Sequence, residues 1–129
     1  MSEALEFTIP YSPSVNHCWK RRRGGGMFLT TEGGDYKEEA RALAWNKLEP
    51  VIMATGRSFL DKPGDLIVEF RIFTPDKRKR DCDNLFKLSL DAIADGLGVD
   101  DSRFLPRVMS RALDRKNPRI EVRIYRKEA

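Results

Sequence analysis

Two pairs of aspartates flank a predicted helix in the second half of the chain. Asp81 and Asp83 lie at its start, and Asp100 and Asp101 lie just beyond its end, where the returning chain could bring them close. Carboxylate oxygens gathered in this way suit Mg²⁺ or Mn²⁺, which keep waters and take substrate phosphate oxygens as further ligands. The sequence therefore predicts a divalent-cation site built from these acids.

Basic residues accompany the first acidic pair. A four-residue basic run directly precedes Asp81 and would hold a phosphodiester backbone, and a second run lies in a glycine-rich loop near the N-terminus. Lys87 follows Asp83 by one helical turn, so its ammonium could stabilise charge developing on a scissile phosphate. The two runs consist of Lys77, Arg78, Lys79 and Arg80, and of Lys20, Arg21, Arg22 and Arg23. This combination predicts a metal-dependent nuclease.

Each of these features also has a purely structural interpretation. Asp81 or Asp83 could simply cap the helix, and Asp83 with Lys87 could be an ordinary surface ion pair. The later acidic pair could be turn residues that accept backbone hydrogen bonds, and Asp91 fits an ion-pair partner of Lys87 better than a ligand. Capping, however, uses one acid rather than two and gives no reason for the basic run before them, which favours the catalytic interpretation.

The elements that must position these residues follow from the spacing of the apolar side chains. Leu66, Val68, Phe70 and Ile72 share one face of the clearest strand. The predicted strands cover 5–9, 27–30, 66–73, 103–113 and 119–126, and the helices run from a capping box at 35–38 to Pro50 and from Asp83 to about Leu97. The order β-β-α-β-α-β-β predicts an α+β fold with two helices packed on a mixed sheet.

Three segments give weaker signals. Residues 20–26 predict a mobile basic loop between the first two strands, and residues 51–64 predict only a connection with room for a helical turn. Pro106 indicates that the strand at 103–113 is an edge strand or begins late.

Composition limits the class of protein. The 129 residues suffice for one domain, and a composition of 40% hydrophobic and 34% charged residues is that of a water-soluble globular chain. The first residues carry acids where a secretory signal has a basic and then an apolar stretch, so we expect a cytoplasmic protein. Two cysteines and one histidine make structural zinc of the Cys/His type improbable, and Cys82 is expected to be a small buried hydrophobe. The net charge of +4 does not by itself identify a partner.

The central motif resembles the signature of the RusA family of Holliday junction resolvases, which are small, dimeric, Mg²⁺-dependent endonucleases. The opening strand and its proline/asparagine loop are similar as well, and the likeness extends over nearly the whole chain. The residues that carry it are Arg78 to Leu85 with Lys87, Asp91, Ala92, Asp100 and Asp101, and Phe7 to Pro10 with Pro13 and Asn16.

This resemblance implies specific roles. Asp81, Asp83 and Asp101 correspond to the family's catalytic, metal-binding aspartates, with Asp101 chosen over Asp100, and Lys87 corresponds to its essential lysine. The implied cofactor is Mg²⁺, for which Mn²⁺ could substitute. The implied assembly is a homodimer on branched DNA, the four-way junction, formed by one RusA-like endonuclease domain that covers residues 1–129.

The expected mechanism uses the cation to make the nucleophile. One or two Mg²⁺ ions would lower the pKa of a bound water, and the resulting hydroxide would attack phosphorus in line. A histidine mechanism is improbable, because the single histidine, His17, lies far in sequence from the aspartates. The resemblance implies a 5′-phosphate and a 3′-hydroxyl as products, with paired nicks by the two subunits. The alternative is a non-catalytic nucleic-acid binding module, whose acids cap the helix and whose basic runs bind phosphate.

Overall fold

The structure, a computed structural model, describes residues 3–13, 19–56, 58–76 and 82–127, with side chains described except at 81–86. Six strands and two long helices make up this part of the chain. They are β1 (Ala4–Pro10), β2 (Trp19–Arg21), β3 (Met27–Leu29), α1 (Thr31–Thr55), β4 (Leu66–Thr74), α2 (Cys82–Leu97), β5 (Phe104–Leu113) and β6 (Arg119–Arg126), with short 3₁₀ turns at Phe59–Asp61 and Asp101–Arg103.

Four of the strands form one mixed sheet in the order β1-β6-β4-β5. The pairs β1–β6 and β6–β4 are antiparallel, whereas β4 and β5 are parallel because α2 crosses between them. Leu66, Val68, Phe70 and Ile72 are fully buried in the core, as their alternation predicts. The predicted α+β class with two helices on a mixed sheet is confirmed. β5 is an edge strand, as Pro106 indicates.

The first helix begins earlier than the sequence predicts. Thr30 is its N-cap, and the Thr30 hydroxyl oxygen accepts a hydrogen bond from the Gly33 N–H at 3.1 Å. Asp35, the expected start of a capping box, lies inside the helix. A threonine hydroxyl satisfies a free N–H of the first turn as well as a carboxylate does, so the earlier cap prevails.

The first helix also continues through Pro50, where it was expected to stop. A proline inside a helix removes one hydrogen bond and crowds the preceding turn. Here Pro50 is exposed, and Val51 and Ile52 beyond it pack against the core, so tertiary packing offsets the local cost. The helix ends where Gly56, at φ 72°, adopts the left-handed conformation.

The basic segment after β1 is an ordered hairpin rather than a loop alone. β2 pairs antiparallel with β3 in a separate two-stranded sheet, with Trp19 opposite Leu29. The turn is closed by a hydrogen bond from the Arg22 N–H to the Gly26 carbonyl at 2.8 Å. Gly24, Gly25 and Gly26 all have positive φ, which only glycine adopts without strain.

One buried hydroxyl joins the two helices to the sheet. The Tyr36 hydroxyl lies 3.0 Å from the Ser89 hydroxyl of α2 and donates to the Pro10 carbonyl at 2.9 Å. Ser89 is fully buried, so this link fixes the depth and rotation of α2. No helix in the described part of the chain is long and apolar enough to cross a membrane.

Candidate active site

Several predicted site residues lie outside the part of the chain that the structure describes. These are Asp81 and the basic run Lys77, Arg78, Lys79 and Arg80. His17, for which we expect no catalytic role, also lies outside the described residues. For Asp83 the structure gives the backbone, which is the second residue of α2. The description of the site therefore rests on the rest of α2, the turn after it and the β2–β3 hairpin.

The backbone of α2 places three charged positions on one face. Asp83, Lys87 and Asp91 follow one another at intervals of four residues, which is about one turn or 6 Å of helix rise. Asp83 and Asp91 are therefore about 12 Å apart along the helix axis. That face therefore carries Asp83 and Asp91 at two positions along the helix axis, with Lys87 between them.

The acidic pair after α2 is divided between two roles. Asp100 caps the 3₁₀ turn Asp101–Arg103, and its carboxylate accepts a hydrogen bond from the Ser102 N–H at 2.8 Å. The hydrogen bonds from Ser102 hold the pKa of Asp100 below its ordinary value. Asp101 is exposed, and it lies near enough to Asp91 to raise the pKa of that carboxyl group.

Asp91 is the functional candidate that the sequence interpretation missed. Burial raises the pKa of this carboxyl group, the Lys37 ammonium opposes the shift, and the neighbouring Asp101 raises the pKa further. The expected partner was Lys87, whereas the charged groups that affect the Asp91 pKa are Lys37, Asp101 and Asp95. The spacing from Asp83 places Asp91 on the helix face of the site, but nothing in the sequence shows that Asp101 folds back to meet it.

Asp91 and Asp101 are neighbouring carboxylates, an arrangement that suits a cation. Two such groups repel each other unless they share a proton or a positive charge, and their oxygens are the ligands that Mg²⁺ prefers. Among the described side chains, no group of three or more metal-ligating residues occurs. Any further ligand for a cation at these two acids would have to come from outside the described side chains.

Arg103 fixes the turn that carries Asp101. Its guanidinium donates to three backbone carbonyls of the segment before β4, at Leu60 (2.9 Å), Lys62 (2.7 Å) and Gly64 (2.9 Å). A planar group with several donors in a rigid fork can bind all three at once, which a lysine cannot do. The acidic turn is therefore held against the body of the domain.

Lys87 contacts the hairpin. Its side chain is exposed, and the ammonium nitrogen lies 5.1 Å from the centroid of the Trp19 ring. This distance is within the range of a cation–π interaction. Since 68 positions separate the two residues, no local sequence pattern could have revealed the contact.

The hairpin beyond Trp19 is strongly basic at its tip. All four members of its run, Lys20, Arg21, Arg22 and Arg23, are exposed around the glycine turn. Trp19 at the base of the same hairpin contacts Lys87, so the basic tip and the face of α2 belong to one continuous surface. An acidic cation site beside exposed arginines is an arrangement suited to cleaving a polyanion.

Fold and site together describe a small α+β nuclease. Comparison with known proteins agrees: residues 10–125 match the family model of endodeoxyribonuclease RusA. A crossover junction endodeoxyribonuclease of Enterobacteria phage HK97 is 31% identical over 100 residues, covering 77% of this chain and 75% of the relative. Crossover junction endodeoxyribonucleases of Shigella sonnei and of Enterobacteria phage 82 are each 27% identical over 118 residues, covering 91% of this chain and 90% of the relative. This chain belongs to the endodeoxyribonuclease RusA family, which confirms the resemblance found in the sequence and the prediction of an endonuclease.

Proposed function

We propose that this endodeoxyribonuclease resolves four-way DNA junctions with Mg²⁺, or Mn²⁺ in its place, held by Asp81, Asp83 and Asp101. The names of the relatives give the substrate class. The observation that carries the proposal for this chain is the proximity of Asp101 to Asp91 of α2, the helix whose second residue is Asp83. We place the enzyme, as one domain of residues 1–129, in the cytoplasm with its DNA.

Asp101 is the better candidate for a ligand of the two adjacent acids. Asp100 already accepts the Ser102 N–H and serves as the cap of its turn. Asp101 is exposed and lies in the carboxylate pair, where a cation would relieve repulsion. This division of roles supports the assignment.

The remaining residues bind and orient the DNA. A divalent cation bound at the acids would supply an activated water and offset charge on the phosphate. The exposed Lys87 ammonium would stabilise the charge that builds up on the phosphate in the transition state. The exposed hairpin residues Lys20, Arg21, Arg22 and Arg23, together with Lys77, Arg78, Lys79 and Arg80, would bind the phosphodiester backbone.

We propose further that the active unit is a homodimer. β5 is an open edge of the sheet, and the exposed large apolar residues along it are Val108, Met109 and Leu113. Unpaired edges that carry apolar residues are ready to pair with another strand. A two-fold dimer would present one acidic site to each of two opposed strands of a junction. Val108→Lys tests this surface, because a charge at the edge should shift the protein from dimer to monomer, as measured by sedimentation. A variant that remains dimeric would contradict the proposed dimer surface.

A cation titration on a labelled four-way junction tests the function. Mg²⁺ should produce paired nicks with 5′-phosphate ends, whereas a non-catalytic binding module would yield no product at any concentration. Asp101→Asn should reduce the cleavage rate by orders of magnitude while junction binding persists, because a ligand charge is lost and repulsion toward phosphate falls.

Asp100→Asn is the matched control for that experiment. It removes one negative charge next to Asp101, but an asparagine still caps the turn. Its cleavage rate should stay within about tenfold of the unmodified protein. The reverse result, with Asp100→Asn inactive and Asp101→Asn active, would exchange the two roles.

A further inference from the structure

Trp19 lies where two otherwise separate parts of the nuclease meet. It is the first residue of β2, at the base of the basic hairpin, and its ring faces the Lys87 ammonium of α2 at 5.1 Å from the ring centroid. Neither the family match nor the acidic cluster assigns it a role. The contact joins a residue of the DNA-binding hairpin to the lysine of the cleavage site.

The Trp19 ring is held by packing, whereas the Lys87 ammonium is exposed. Trp19 is half-buried and packs against the core, and its strand partner Leu29, which precedes the cap of α1, packs there as well. Lys87 is exposed, and an exposed lysine samples many rotamers around its four-carbon chain. A fixed aromatic face beside it restricts that sampling, since an indole ring is the best aromatic partner for an ammonium.

We propose that Trp19 is a positioning residue that holds the Lys87 ammonium at the cleavage site. This inference rests on the proposed role of Lys87 in stabilising transition-state charge. An ammonium already ordered in the free enzyme loses less freedom when the transition state forms, so Trp19 contributes to the rate without touching the DNA.

A set of substitutions separates this role from a structural or DNA-stacking one. Trp19→Leu removes the aromatic face, Trp19→Phe keeps a smaller one, and Lys87→Met removes the charge at similar length. Trp45, the other tryptophan of the chain and a partly exposed residue of α1, provides the control Trp45→Phe. Thermal unfolding of each variant shows whether it folds.

The first measurement is single-turnover cleavage of a labelled four-way junction, with binding measured by anisotropy without divalent cation. Trp19→Leu should slow cleavage about 2- to 30-fold, the range of a cation–π contact, with little change in Kd. The cleavage rate of Trp19→Phe should lie between those of Trp19→Leu and the unmodified protein. Trp45→Phe should cleave at the rate of the unmodified protein. In the Lys87→Met background Trp19→Leu should have no further effect on the rate, because the group it positions is absent.

The second measurement requires no cleavage. In the Trp45→Phe protein, fluorescence reports Trp19 alone, and adding Lys87→Met should change its emission. The same Lys87→Met change in a Trp19→Phe protein, which reports Trp45, should leave the emission as it was. This arm still tests the contact if Trp19→Leu fails to fold.

The outcomes distinguish the inference from the function on which it rests. If Lys87→Met cleaves normally, the proposed role of Lys87 is wrong and the positioning role falls with it. If Lys87→Met is slow but Trp19→Leu is not, the positioning inference alone is wrong. An equal loss of rate and affinity in Trp19→Leu, or the same loss in the Lys87→Met background, would overturn it in favour of direct DNA stacking by the ring.

Discussion

The helices α1 and α2 approach each other closely at a glycine, and an alanine there should reduce both stability and the cleavage rate. Gly96 lies in the last turn of α2, where it crosses α1. A Cβ atom built on Gly96 would lie 2.4 Å from the Arg41 carbonyl oxygen and 3.0 Å from the Ala44 Cβ. Both are parts of α1 that cannot rotate away, so Gly96→Ala must push the helices apart.

The expected cost follows from that geometry. Ordinary contact begins at 3.4 Å, so relief of the 2.4 Å approach requires a shift of about 1 Å at the crossing. Overpacking of this kind costs about 1–3 kcal/mol or more, and the better helix propensity of alanine returns up to about 1 kcal/mol. We expect a net loss of about 2 kcal/mol in the free energy of unfolding, which lowers Tm by roughly 6–10 °C in a chain of this size.

The matched control is Gly34→Ala, because Gly34 is also helical and its Cβ would meet only a Leu29 methyl at an ordinary 3.9 Å. That variant should keep or raise the free energy of unfolding, by up to about 1 kcal/mol. Urea and thermal unfolding measure both effects. The shift of α2 also moves the helix face that carries Lys87, and displacements of about 1 Å can slow an enzyme up to about 100-fold. If Gly96→Ala were as stable and as active as Gly34→Ala, the helices would not cross at the distance described.

Three other expectations concern the acids, the turn and the hairpin. Because the pKa of Asp91 is raised, the cation-free protein should lose stability as pH rises above 3.8 through that raised pKa; Asp91→Asn should remove this loss and shrink the Tm increase caused by Mg²⁺. Arg103→Lys keeps the positive charge but loses the guanidinium donors that bind three carbonyls, and should lower the free energy of unfolding in denaturant by about 1–3 kcal/mol. Arg21→Ala should lower the salt slope of junction binding by about 0.9, whereas an unchanged slope would remove Arg21 from the interface.

The fold was predictable where the spacing of apolar residues within a short segment determines the element. The alternation in β4 gave its buried face, and Pro106 marked β5 as an edge, because both signals act within a few residues. Pro50 misled the prediction of α1, since the packing of the residues beyond it outweighs the local penalty of a proline. Tertiary contacts decide such cases, and a sequence pattern does not contain them.

The candidate site likewise has features that local sequence predicts and contacts that only the folded chain shows. Residue types and spacing were enough to propose α2 and the acidic turn as the catalytic region, and this assignment stays a prediction. The neighbours of individual residues were not predictable, because Asp101 approaches Asp91 and Lys87 approaches Trp19 only through the folding of separate elements. That Asp100, and not Asp101, caps the turn could be seen only in the structure.

The spacing along α2 also bears on how the site is completed. Asp101 is a neighbour of Asp91, about 12 Å of helix rise beyond Asp83, whereas two carboxylates that share one Mg²⁺ have oxygens within about 4 Å of each other. One ion cannot readily join Asp83 and Asp91 on the same helix. The acids at the start of α2 and the acids at Asp91 and Asp101 can act on one phosphate if each group holds its own ion, so the proposed ligand set favours two ions in the site of each subunit.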